Sequence, residues 1–171
     1  MKPLHTHSTD NRIHVELPQD YDGSFPNVGV FFEIWAEQNN LNTTRAFLSS
    51  STNGTYTAAI VAGGPLPGGS PVESWDGTSW TEVNDVNSAS YAGAGSPAGS
   101  YTAALKTSGK SGPSSFQTNT EVWDGSSWTE VNNNNTGRDG IMGAGTSTSN
   151  IIAGGQTPPN QVIAESWDGT S

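Results

Sequence analysis

Three carboxylate pairs recur at fixed places: Glu73 with Asp76, Glu121 with Asp124, and Glu165 with Asp168. Two carboxylates at a suitable separation can hydrolyse a glycosidic bond, one as acid and the other as nucleophile or base. Regular recurrence argues against that chemistry, because an active site breaks symmetry and these pairs return once per repeat. Each Asp precedes a Gly, the dipeptide that tolerates the positive φ values of a tight hairpin turn. The Asp residues are therefore read as turn residues and the Glu residues as belonging to an exposed outer strand. His5, His7 and His14 are the only histidines. On an extended segment His5 and His7 would face the same way, as a metal site can use, but there is no Cys, and Asp10 and Glu16 stand at no diagnostic spacing. The expectation is solvent-exposed imidazoles on an arm, with no metal. The serines have neither a nearby His nor a nucleophile-elbow context, and "AGAGSPAGS" at 92–100 lacks a P-loop lysine and a βαβ setting. No catalytic, cofactor-binding or metal residue is expected, and the chain is read as non-enzymatic.

The elements that carry these residues are set by a repeat. "ESWDGTSWTEVN" at 73–84 returns as "EVWDGSSWTEVN" at 121–132 and as "ESWDGTS" at 165–171. Trp75, Trp123 and Trp167 mark one position and Trp80 and Trp128 a second, with Gly77, Gly125 and Gly169 in the turns between. Each copy thus predicts a two-stranded hairpin. Upstream lie a run of small residues such as "RDGIMGAGT" and a strand ending in a Gly pair, as in "YTAAIVAGG" and "NIIAGG". Four strands per copy result, the Gly- and Ala-rich one being innermost, where backbones approach closely. "WAEQNNLNTTR" at 35–45 aligns without a gap to "WTEVNDVNSAS" and "WTEVNNNNTGR". Trp35 is accordingly read as an outermost-strand tryptophan whose hairpin partner is missing, and Trp167 as one whose outer strand is missing. The repeated tryptophans are expected to pack between copies.

Composition agrees with an all-β chain rich in turns: 21 Gly and 10 Pro in 171 residues, and a hydrophobic fraction of 32%, too low for one large core. The net charge of −10 and six scattered Lys and Arg exclude a phosphate-tracking surface, so no nucleic acid is expected as partner. The N-terminus has no apolar signal-peptide core, and "VGVFFEIWA" at 28–36 is too short to span a bilayer and carries Glu33. The reading is a soluble protein with no signal peptide or transmembrane segment and no membrane partner.

A small strand, a strand ending in Gly-Gly, a strand with Glu and an aromatic, and a strand opened by Trp together resemble the kelch-like β-propeller repeats. The likeness covers about residues 33–171. The middle copy departs from it, with Ser108-Gly109 for the Gly pair and Ser90 where the others have Arg45 and Arg138. The resemblance implies an all-β fold of three four-stranded, permuted, kelch-like blades after an irregular N-terminal arm over 1–32. Rings close with four to eight blades, so it also implies a homo-oligomer closed by strand exchange into six blades, or further repeats. The wording of the repeat is similar to structural proteins of marine bacteriophages, which implies an exterior virion component, a capsid decoration, tail or fibre protein, joined to other virion proteins through the arm. The alternative is a propeller module that binds a glycan or protein through the stretches at 65–71, 106–119 and 156–161, whose lengths vary between copies.

Overall fold

A computed structural model describes residues 6–8, 12–15, 30–33, 37–64, 70–98 and 100–170. The chain divides into two compact units, Met1–Gln38 and Asn39–Ser171. In the first, β1 (Thr6–Ser8), β2 (Arg12–Val15) and β3 (Val30–Glu33) form an antiparallel sheet in that order. His7 is paired with His14 and Ile13 with Phe32. The arm expected to be irregular therefore carries strands in its described part, the alternating "RIHV" supplying the central one. Trp35 lies outside the described residues.

The second unit contains three copies of one antiparallel pattern, and no described residue is helical. The first copy runs β4 (Ser49–Thr55), β5 (Ala58–Ala62), β6 (Val72–Trp75), β7 (Trp80–Val83). The second has β8 (Ala94–Gly95) and β9 (Ala104–Thr107), then a two-stranded insertion of β10 (Lys110–Gly112) and β11 (Ser115–Phe116), then β12 (Thr120–Trp123) and β13 (Trp128–Val131). The third comprises β14 (Met142–Thr146), β15 (Ser149–Ala153) and β16 (Ala164–Trp167). Register is conserved from copy to copy. Trp75 faces Trp80 and Trp123 faces Trp128 across the hairpins, while Ala59, Ala104 and Asn150 stand opposite the first Trp of each.

The small residues act where copies meet. A single parallel bridge, Ser50 to Ala94, joins β4 to β8. The Ala92 amide donates to the Phe47 carbonyl at 2.7 Å, and the Gly140 amide donates to the Ala92 carbonyl at 2.8 Å. Phe47, Ala92 and Gly140 share a left-handed backbone, with φ of 49°, 55° and 62°, so one equivalent position is linked through all three copies. At Gly143 a methyl group would overlap the Gly95 carbonyl oxygen, which is the close approach expected of the small-residue strands.

The core lies between copies. Ile60, Ala62 and Val72 of the first copy, each fully buried, pack with Val86 and with Ala104, Trp123 and Trp128 of the second. Burying a large apolar side chain contributes up to about 3 kcal/mol, so a few tryptophans compensate for the low apolar content.

Three details correct the sequence reading. Glu73 and Glu121 are not on an exposed strand, being 0% and 1% exposed. The stretch at 106–119 is not a loop throughout: Lys106 and Thr107 belong to β9, and Lys110–Phe116 form the β10–β11 hairpin. The Asp-Gly hairpin spans four residues, Asp76 to Ser79, between paired tryptophans, and only its Gly takes positive φ, 95° at Gly77.

Candidate functional site

Each repeated glutamate is the acceptor of a clamp that joins one copy to the segment before it. Glu73 accepts from the backbone amides of Asn42 (2.8 Å) and Thr43 (3.2 Å) and pairs with the Arg45 guanidinium. Glu121 accepts from the backbone amides of Asn87 and Ser88, both at 2.8 Å, and from the Asn87 side-chain amide. Glu165 accepts from the Asn135 amide at 2.6 Å, from its side chain at 2.8 Å, and from Arg138 at 2.5 Å. Burial pushes the Glu165 carboxyl up, but the donors from Asn135 and Arg138 outweigh it and leave the pKa below the usual carboxylate range.

A second contact runs beside each clamp. Asn39, Asn84 and Asn132 donate their side-chain amides to Thr78, Ser126 and Thr170 in the following hairpin turn, at 2.6, 2.7 and 2.8 Å. Three residues later, Asn42 and Asn87 also donate to the carbonyls of Trp80 and Trp128. The Asn-x-x-Asn pair is thus a linker device that the sequence reading passed over. Its signal was visible in the constant positions 39/42, 84/87 and 132/135.

The cations show a substitution between copies. Arg45 donates to the Thr43 carbonyl and Arg138 to the Thr136 carbonyl, at 3.4 and 3.3 Å. Ser90 replaces the arginine in the middle copy, and there Lys106, from β9, donates to the corresponding Ser88 carbonyl at 3.2 Å and to Ser90 Oγ at 2.6 Å. Lys106 stands opposite Glu121 on the strand pair, where the other copies have Val61 and Ile152. Its burial lowers the ammonium pKa to about 8, with Glu121 opposing the shift.

The aspartates bind their own turns. Asp76 accepts from the Thr78 and Ser79 amides and Asp124 from those of Ser126 and Ser127. These donors, Ser127 first, bring Asp124 to about 2, and those of Ser79 and Thr78 lower Asp76 likewise. Gly77, Gly125 and Gly169 close the turns, packed against Thr57, Thr102 and Thr148. Trp75 and Trp80 stack with ring centroids 5.3 Å apart at 40°, and Trp123 and Trp128 at 5.4 Å and 41°. Trp75 and Trp167 donate their indole N–H to the carbonyls of Tyr56 and Ser147. The structure therefore sets the repeated Glu positions between each copy and the segment before it, Trp123 and Trp128 in the core between the first two copies, and the repeated Gly positions in turns within each copy, with Trp35 outside its described part.

A cleft of about 110 Å³ lies where the second and third copies meet, between Leu105, Thr107, Thr120, Asn134, Asn150 and Trp167. Among the described residues no group of three or more His, Asp or Glu could hold a metal ion, and no helix is long and apolar enough to cross a membrane. Of the three variable stretches, residues 65–69 lie outside the described structure; 156–161 is described and is held by Gln161, which donates to the Thr157 and Pro159 carbonyls. No protein-family model matches the chain, and no curated protein matches it.

Proposed function

We propose that this chain is a non-enzymatic structural component of a bacteriophage virion, an exterior decoration, tail or fibre protein, whose kelch-like copies are the blades of a β-propeller platform. The observation that carries the structural role is the use of the carboxylates. Glu73, Glu121 and Glu165, whose residue type alone would suit catalysis, are each occupied by the preceding linker. A carboxylate committed to backbone donors makes a joint rather than a general acid. The blade arrangement is supported by the parallel contact between first strands and the tryptophan core between copies. The viral assignment rests on the likeness of the repeat wording. Mass spectrometry of purified particles should find the chain at a fixed stoichiometry; its absence from intact particles would remove the assignment.

The second reading is a glycan- or protein-binding module. It is favoured by the β10–β11 hairpin, which among the described residues only the second copy carries, and which is tied to the scaffold through Lys110 Nζ, 3.0 Å from Asp139, while the same ammonium lies 4.7 Å from the ring centroid of Phe116 within the hairpin. Glycan-array binding abolished by replacing residues 110–116 would favour that reading over the first.

A further inference from the structure

The cleft between the second and third copies has a counterpart between the first and second, and there it is full. The wall of the cleft, Leu105, Thr107, Thr120, Asn134, Asn150 and Trp167, corresponds residue for residue to Ile60, Ala62, Val72, Val86, Ala104 and Trp123. Those six surround one further side chain, Trp128, 6% exposed at the start of the outer strand β13. Among the described residues no strand pairs with the outer edge of β16. The cleft is therefore the seat of an outer-strand tryptophan.

A second surface points to the same occupant. Ile60 and Leu105 are 0% and 1% exposed, each covered by the copy that follows, whereas the equivalent Ile151 is 48% exposed and Met142 beside it is 74% exposed. At the other end of the stack Leu41 and Trp80 are only half-buried, although their equivalents Val86 and Trp128 are buried. The exposed face of the third copy thus matches the exposed face of the first.

We infer that this cleft and face receive a second copy of the chain, whose Trp35–Gln38 segment adds as the outer strand on β16 and seats Trp35 against Trp167. The sequence match is direct, since Trp35, Asn39 and Asn42 stand at the spacing of Trp128, Asn132 and Asn135. Asn39 and Asn42 already clamp the first copy in the way Asn132 and Asn135 clamp the third. In the proposed assembly that segment of the second copy takes the place of an outer strand preceding its own Asn39, and its first copy lands on Ile151. The interface repeats, between chains, one the chain makes twice within itself. The polar wall fits as well: Asn150 Oδ1 is buried without a partner, and an indole N–H is a donor, whereas Trp128 Nε1, facing a wall with Ala104, is buried without one.

Light scattering on the full chain tests this. Wild type is expected at a multiple of 17.8 kDa, with Trp35→Ala and Ile151→Glu both returning it to a single chain. Ile151→Glu changes an exposed side chain, and the ultraviolet circular dichroism couplet of the stacked Trp75–Trp80 and Trp123–Trp128 pairs reports that each variant has kept its fold. Should Trp35→Ala lose that couplet, a peptide of residues 35–45 added to wild type replaces it, and is expected to dissociate the assembly where its Trp-to-Ala version does not. A wild type of single-chain mass at every concentration overturns the inference, as does an assembly whose mass survives Ile151→Glu, or survives both Trp35→Ala and the peptide.

Discussion

Lys106 Nζ donates to Ser90 Oγ at 2.6 Å, and through that bond the middle copy obtains from its own second strand the positive charge that the other copies take from the linker. Arg45, Lys106 and Arg138 all reach the same backbone carbonyl, that of Thr43, Ser88 or Thr136. The chain has thus solved one electrostatic problem, a buried glutamate, in two ways.

The two solutions should be interchangeable. Lys106→Val alone removes the cation near Glu121 and is expected to destabilise by about 1–3 kcal/mol. Adding Ser90→Arg recreates the Arg and Val pairing of the first copy and should recover more than half of that loss. Urea unfolding of the four proteins of this cycle measures it. A double variant no more stable than Lys106→Val would show that the cations are not equivalent.

Lys106 also sets a pH dependence. Its folded-state pKa is about 8 against an ordinary value of 10.5, so between these values the unfolded chain binds the proton better than the native one. Stability contributed by this group therefore rises with pH from about 8 and is complete above 10.5, with an upper bound of about 3 kcal/mol. The difference in unfolding free energy between wild type and Lys106→Met should climb across that window. A flat difference would place Lys106 in water.

Much of this scaffold was legible in the sequence because hairpin chemistry is local. The two tryptophans, the Asp-Gly pair and the constant spacing needed no knowledge of neighbours to indicate paired strands. The glutamates were misread for the complementary reason. Glu73 is a charged residue in a short strand, which residue type alone reads as exposed, and only the linker arriving from Asn42 and Thr43 makes it a buried acceptor. Ser90 likewise looked like a lost arginine until the register of β9 put Lys106 opposite Glu121. The cleft was not legible at all, since it depends on which face of the third copy is covered.

Two glycines separate backbone conformation from close approach. Gly140 has φ of 62° with nothing near its would-be Cβ, and its equivalents are Phe47 and Ala92. Gly140→Ala should cost only about 1 kcal/mol. Gly143→Ala collides with the Gly95 carbonyl of the neighbouring copy and should cost clearly more, because backbone rather than a flexible side chain must yield. Thermal unfolding ranks the two, and a larger loss at 140 would contradict the contact.

The linker asparagines should differ in weight although their spacing is the same. Asn84 donates one exposed side-chain bond to the Ser126 carbonyl, so Asn84→Ala is expected to cost about 0.5–1 kcal/mol. The Asn87 side chain serves two partly buried acceptors, a Glu121 oxygen at 2.8 Å and the Trp128 carbonyl at 3.0 Å. Asn87→Ala leaves both short of a donor beside the tryptophan core and should cost about 2–3 kcal/mol. Asn87→Asp discriminates further. It keeps the volume but sets a second carboxylate against Glu121, so its deficit should shrink as the pH falls through the carboxylate range. Equal losses for Asn84→Ala and Asn87→Ala, or an Asn87→Asp deficit indifferent to pH, would mean that the joint between the copies is held by the tryptophans alone.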